Sequence, residues 1–207
     1  PINWAILNGE KETGVTTFLI DEKIDTGQIL MQKRVDIGER ETVGTLYDRL
    51  MEVGTGLVLK TVDSLAVGSV TSRPQSEEEN NNASLPDAPK LNKVNCSIDW
   101  SKPADKIELL VRGLSPYPAA LATITDQTGK ETGVKIFMAR ADMKNGNLSG
   151  SGKLEAGTIK SDGKTYLSVI CGDGELFLEE LQLAGKKRML VKDLLAGFRN
   201  PESHRFL

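Results

Sequence analysis

A polar tract near the middle of the chain, Gln75-Ser76-Glu77-Glu78-Glu79-Asn80-Asn81-Asn82, limits the available folds more than any other feature. It offers no apolar side chain, and Pro74, Pro86 and Pro89 punctuate its flanks. Burial there cannot offset the entropy cost of ordering, so the region reads as a linker over residues 75–97. Asn-rich tracts also serve as interaction segments, which is the lesser reading here. A single core cannot run through such a stretch. The 207 residues therefore divide into modules at 1–74 and 98–207, each long enough to bury a core of its own.

The first module has an α/β pattern. Residues 1–8 predict a short helix with Pro1 at its first position and Asn8-Gly9 as its stop. Apolar, β-branched runs predict strands at 14–20 and 28–36. From Thr42 to Val67, Val43, Leu46, Leu50, Val53, Leu57, Val58, Thr61 and Leu65 recur at helical spacing. That is a long amphipathic helix capped by Thr42 and ended at Gly68, with a weak point at Gly54 and Gly56. Pro1 opens the chain inside an element without an initiator Met, so a longer parent polypeptide is expected.

The second module changes character after Ile98-Asp99-Trp100. Ser101 and Pro103 start a helix with Ile107, Leu110 and Val111 on one face, stopping near Gly113. Five short β-like segments follow at 119–125, 133–140, 156–160, 165–170 and 175–182. Turn clusters at 126–130, 145–152, 161–163 and 171–174 separate them, and a short helix is expected over Leu190–Phe198. Such spacing predicts a small all-β barrel of the OB type with flanking helices. Trp100 and Tyr117 read as packing anchors, and Phe137 and Phe177 as core rather than base-stacking platforms.

Composition excludes some classes of function. No apolar run approaches the roughly 20 residues of a membrane helix, and the first residues lack the basic region of a secretory signal. Cys96 and Cys171 are too far apart in sequence for a metal motif or a disulfide framework, so no metal and a reducing, cytoplasmic setting are expected. Net charge is −3, split between −5 for residues 1–103 and +2 for residues 104–207. A balance of +2 is weak evidence for an anionic partner, and an ordinary solvated surface explains it as well. Lys186-Lys187-Arg188, preceded by Gly185, is the one compact basic cluster near a strand end. It could neutralise phosphates or be a plain exposed turn; Arg112, Lys135 and Arg140 could extend it.

Chemistry points to residues 12–30. A strand ends in an acidic turn holding Asp21, Glu22 and Asp25 before a second strand departs, and loops at strand ends commonly carry function. Asp25-Thr26-Gly27 is by itself an ordinary turn sequence, with Asp bonding the backbone and Gly supplying conformational freedom. The only histidine, His204, sits in a polar tail near the end and reads as solvated. Any acid–base partner for Asp25 must come from outside these residues.

An ordered series of short motifs carries a resemblance. Glu12-Thr13-Gly14-Val15-Thr16, Asp25-Thr26-Gly27, Gly44-Thr45-Leu46-Tyr47-Asp48-Arg49-Leu50 and Ala88-Pro89-Lys90-Leu91 are followed by Ile98-Asp99-Trp100, Pro116-Tyr117-Pro118-Ala119 and Ala184-Gly185-Lys186-Lys187. In that order they resemble the folate-dependent formyltransferases, in particular the branch acting on methionyl-tRNA, over nearly the whole chain. The resemblance implies an enzyme that moves a formyl group from 10-formyltetrahydrofolate to the methionine amine of initiator methionyl-tRNA. It makes Asp25 the catalytic carboxylate and places the pterin at Asp21, Glu22 and Ile24, largely through backbone groups. With a tRNA substrate, the basic cluster Lys186, Lys187 and Arg188 on the barrel is expected to contact its phosphates, and the full-length protein is expected to be a monomer. The family's catalytic Asn and His come from an Asn-x-His segment ahead of a Ser-Leu-Leu-Pro stretch. Neither is among these residues, so this portion alone is expected to be inactive. A sugar-nucleotide formyltransferase, a formyltetrahydrofolate hydrolase and a non-catalytic nucleic-acid-binding module remain alternatives.

Overall fold

The computed structural model describes residues 1–75, 86–142 and 154–207, which fall into two compact units, Pro1–Pro89 and Lys90–Leu207. Residues 76–85 of the expected linker and the expected turn at 145–152 lie outside the described residues.

In the first unit, α1 (Ile2–Leu7) and α2 (Val43–Ala66) accompany an antiparallel pair of strands, β1 (Glu12–Phe18) and β2 (Ile29–Asp36). Ile6, Val35, Ile37, Val43, Leu46 and Leu50 form the core, with Ile2, Ala5, Val15 and Val53 packed against it. The start of α2 follows from Thr42. Its hydroxyl accepts from the Thr45 amide, while Thr45 Oγ1 accepts from the Thr42 amide at 3.2 Å. This capping box uses threonine where glutamate is more usual. The helix runs unbroken through Gly54 and Gly56. A glycine costs about 1 kcal/mol in a helix interior, and burial of Leu46, Leu50 and Leu57 outweighs that.

Strand β1 ends at Phe18 rather than at the expected residue 20. Its register against β2 shifts between Thr17 and Phe18, and Ile20 emerges 96% exposed. An apolar run read as strand thus turns outward at its end to become loop. Thr61 ties α2 to the sheet, its hydroxyl donating to Leu57 O and lying 2.9 Å from Thr17 Oγ1.

The second unit begins with α3 (Ala104–Leu114), whose N-terminal amide at Ala104 donates to the Asp173 carboxylate at 2.8 Å. The expected β segments appear as β3 (Ala120–Thr125), β4 (Glu131–Asp142), β5 (Ile159–Ser161), β6 (Leu167–Ile170) and β7 (Glu175–Leu183). Two strands were not expected, β8 (Met189–Leu190) and β9 (Arg205–Phe206); α4 (Val191–Leu195) follows β8. The sheet order is β5-β6-β7-β4-β3-β9, with β8 on β7. Its two ends meet, because Thr158 bridges Arg205 and the Phe206 amide donates to Gly157 O at 2.9 Å. The result is a barrel-like sheet filled by Ile136, Leu167, Val169, Leu176, Leu178 and Leu181.

Two expectations fail here. The segment around His204 is not a solvated tail. His204 packs on Phe198 in a tilted ring contact with centroids 4.5 Å apart, and the next two residues form β9. Tyr117 is no packing anchor, being 82% exposed between the buried Ser115 and Ala119. Trp100 does anchor, buried with its ring tilted against Phe206 at 4.9 Å. Among the described residues no helix is long and apolar enough to cross a membrane.

Candidate functional site

The connection from β1 to β2 gathers Asp21, Glu22, Ile24 and Asp25 into one exposed loop. Its base is closed by the Leu19 amide donating to Gln28 O at 2.9 Å. Gly27 is buried against this closure. A Cβ built there would lie 1.6 Å from Leu19 O, so only glycine lets the two chain segments approach this closely. Asp25 takes a left-handed conformation, φ 57, which an aspartate tolerates better than most residues. Inside the loop, the Asp21 carboxylate accepts from the Glu22 amide at 2.6 Å, and the Thr26 hydroxyl donates to Lys23 O at 3.2 Å.

The Asp25 carboxylate has no hydrogen-bond or ion-pair partner among the described residues and is open to solvent. It is not a structural group sealed into a corner. Ile24 is 90% exposed beside it, so the loop presents an apolar side chain together with an acid. A ligand that combines a flat apolar body with hydrogen-bonding edges would meet both.

A strap returns to this loop after α2. Arg73 and Ile29 exchange backbone hydrogen bonds at 2.8 and 2.9 Å, and Ser72 donates to the Gln28 side chain. The Gln75 amide then donates to two loop carbonyls, Asp25 O at 2.9 Å and Gly27 O at 2.7 Å. Sequence reading placed Gln75 at the start of a linker. Nothing in a polar residue ahead of a polar tract signals that it binds backbone carbonyls.

In the second unit the basic residues divide by role. Between β7 and β8 the chain turns at Gly185, φ 75, with the Lys186 amide on Leu183 O. Lys186 and Lys187 are exposed. Arg188 is committed elsewhere: its Nε and Nη2 donate to both carboxylate oxygens of Glu180 at 2.6 and 2.5 Å, and its guanidinium lies 4.2 Å from the Phe137 ring centre. The hydrogen bonds it donates to Glu180 raise its pKa further, so Arg188 stays charged and is ion-paired within the fold. Beside the turn lies a hollow of about 490 Å³ lined in part by Lys93, Lys135, Gln182 and Gly185. Lys135, and Lys93 from the expected linker, thus line a hollow that also reaches Gly185. Arg112 does not, since it is buried beside Glu108. Arg140 lies over Phe177 at 5.1 Å.

Among the described residues no cluster of three or more His, Cys, Asp or Glu side chains could hold a metal ion. Both cysteines are buried, and burial pushes the Cys171 thiol up to about 12.

Residues 1–62 match the family described as formyl transferase, and residues 90–199 match its C-terminal domain. The chain belongs to the formyl transferase family. A methionyl-tRNA formyltransferase of Parabacteroides distasonis is 44% identical over 199 residues, which cover 96% of this chain and 60% of that protein. The chain thus spans about 60% of the length of such curated relatives. Among solved structures, HypX from Aquifex aeolicus in complex with tetrahydrofolic acid superposes with a TM-score of 0.62 at 19% identity, covering 96% of this chain and 32% of that one. An N-formyltransferase from Helicobacter canadensis, in complex with folinic acid and dTDP-3-aminofucose, gives 0.59 at 20% identity, covering 91% and 60%. At these identities the structural likeness speaks to the formyltransferase fold.

Proposed function

We propose that this chain is part of an enzyme that transfers the formyl group of 10-formyltetrahydrofolate to the methionine amine of initiator methionyl-tRNA in the cytoplasm. The observation that carries this reading is the solvent-open, unpartnered carboxylate of Asp25 on a loop locked at both ends. The relatives named as methionyl-tRNA formyltransferases favour the tRNA substrate over a sugar nucleotide.

The chemistry gives each group a task. An amine attacking a formyl carbon builds negative charge on the formyl oxygen and positive charge on nitrogen. Asp25, held by the loop, stabilises that positive charge and helps carry the amine proton toward the departing folate nitrogen. The loop around Asp21, Glu22 and Ile24 holds the pterin, chiefly through its backbone, with Ile24 against the ring. Donors to the developing oxyanion are worth roughly 10²–10³ in rate each. In this reading they come from an Asn-x-His segment that these 207 residues do not contain, and this portion alone does not turn over.

The module at 98–207, read as an OB-like barrel, grips tRNA through Lys186 and Lys187, the two cations of its turn that have no ion-pair partner among the described residues. Arg188 supports the turn by its ion pair with Glu180. The first module, 1–74, is the C-terminal part of the catalytic domain, and the full-length protein acts as a monomer. The test is Asp25→Ala in the full-length protein. Turnover falls by at least about 10²-fold while tRNA affinity holds, in line with loss of an acid–base group. Unchanged turnover would remove Asp25 from the mechanism.

A further inference from the structure

We propose that Gln75 is a positioning residue, acting through the backbone of the Asp25 turn to fix where the carboxylate points; this rests on the functional reading above. Asp25 O and Gly27 O are both acceptors, so only the amide nitrogen of Gln75 can face them, and its two N–H groups match two carbonyls. The two peptide groups bracket the Thr26-Gly27 pair. Holding both oxygens within 2.9 Å of one nitrogen sets the orientation of both peptide planes. The Asp25 side chain leaves the backbone at the first of them, so its direction follows.

The strap that delivers Gln75 is itself anchored. Arg73 pairs with Ile29 through both backbone groups, and Arg73 also donates to the Gln32 side chain. Gln75 thus reaches the turn from a segment fixed on β2. The turn needs such a brace. Its left-handed residue at Asp25 costs about 1–2 kcal/mol for most side chains, and six of the seven residues 20–26 have exposed neighbours on both sides. Two backbone-directed hydrogen bonds at its C-terminal end oppose relaxation of that conformation. Gln75 touches neither substrate nor reacting atoms in this account. Its contribution is geometric.

The decisive variant is Gln75→Glu in the full-length protein, which keeps the size of the side chain and replaces the donating nitrogen, with both its N–H groups, by an oxygen facing the two carbonyls. The expected result is a kcat lower by about 10–100-fold, the scale of roughly 1 Å of misplacement, with KM for methionyl-tRNA within about threefold. Amide hydrogen exchange over residues 21–28 should accelerate while β1 and α2 keep their protection. Gln75→Lys, which restores a nitrogen donor, should recover most of the lost kcat. Wild-type kcat with wild-type exchange in Gln75→Glu would overturn the proposal. So would faster exchange spread across the whole first unit, the signature of a merely structural role. If the wild-type protein does not formylate methionyl-tRNA, the functional reading falls, and the exchange pattern alone decides for or against the brace.

Discussion

Gly27→Ala puts the smallest addition at the tightest approach in the proposed site. The added Cβ would sit 1.6 Å from Leu19 O, against 3.4 Å for an ordinary contact, so the two segments must separate by about 1.8 Å. The obstacle is a backbone carbonyl, which cannot swing aside as a side chain would. Separation breaks the bond from the Leu19 amide to Gln28 O, worth about 1 kcal/mol net, and pulls Gly27 O from Gln75. Because strand pairing from Glu12 to Thr17 is untouched, the expected stability loss is about 1–3 kcal/mol and the fold survives. Turnover should suffer more. Asp25 lies two residues away, and displacement of a catalytic group by about 1 Å costs on the order of 10²-fold. Steady-state formylation kinetics on the full-length protein, paired with a thermal midpoint, separate the two effects. A Gly27→Ala enzyme within threefold of wild-type kcat would show that the closed loop base does not set the geometry of Asp25.

Three further outcomes can be checked. Replacing Lys186 and Lys187 together by Ala should lower the slope of log affinity for tRNA against log salt by about 1.5, since each phosphate contact contributes roughly 0.7–0.9; an unchanged slope means neither lysine meets a phosphate. Lys160→Met leaves the buried Glu175 carboxylate with Ser168 as its remaining side-chain partner, and chemical denaturation should show a loss of about 3 kcal/mol. Asp162 accepts from Thr165 and from the amides of Lys164, Thr165 and Tyr166, which hold its pKa well below the ordinary 3.8. A depressed carboxylate stabilises the fold above its unfolded pKa and loses that contribution as pH falls below it. Asp162→Asn should therefore flatten the midpoint–pH curve below about pH 4; an acid limb parallel to wild type would refute the assignment.

What could be read in advance followed local chemistry. The start of α2 was legible because a threonine cap leaves its mark in sequence, and its length because apolar residues recur every three or four positions. Strands β3 to β7 were legible from apolar runs between turn clusters. The pairs β8 and β9 were not, since two residues carry no periodicity. Arg188 looked like its neighbours Lys186 and Lys187 until the ladder of β7 on β8 placed Glu180 beside it. In the proposed site, Asp25 was singled out by its turn motif together with the family resemblance. Gln75 was missed because it acts on backbone oxygens 48 and 50 positions away, which no local pattern encodes.

The meeting of Gly157 and Thr158 with Arg205 and Phe206 has a consequence for self-association. A ring of strands has no rim at which another chain can add a strand. Here the two ends of the sheet meet at the Thr158–Arg205 bridge, which nearly closes the ring, and a Cβ on Gly157 would strike Phe206 O at 2.2 Å. Anything that lifts this pair away bares two margins at once. Damage at that seam would first show as molecules sticking to one another, while the helices and most strands stayed intact.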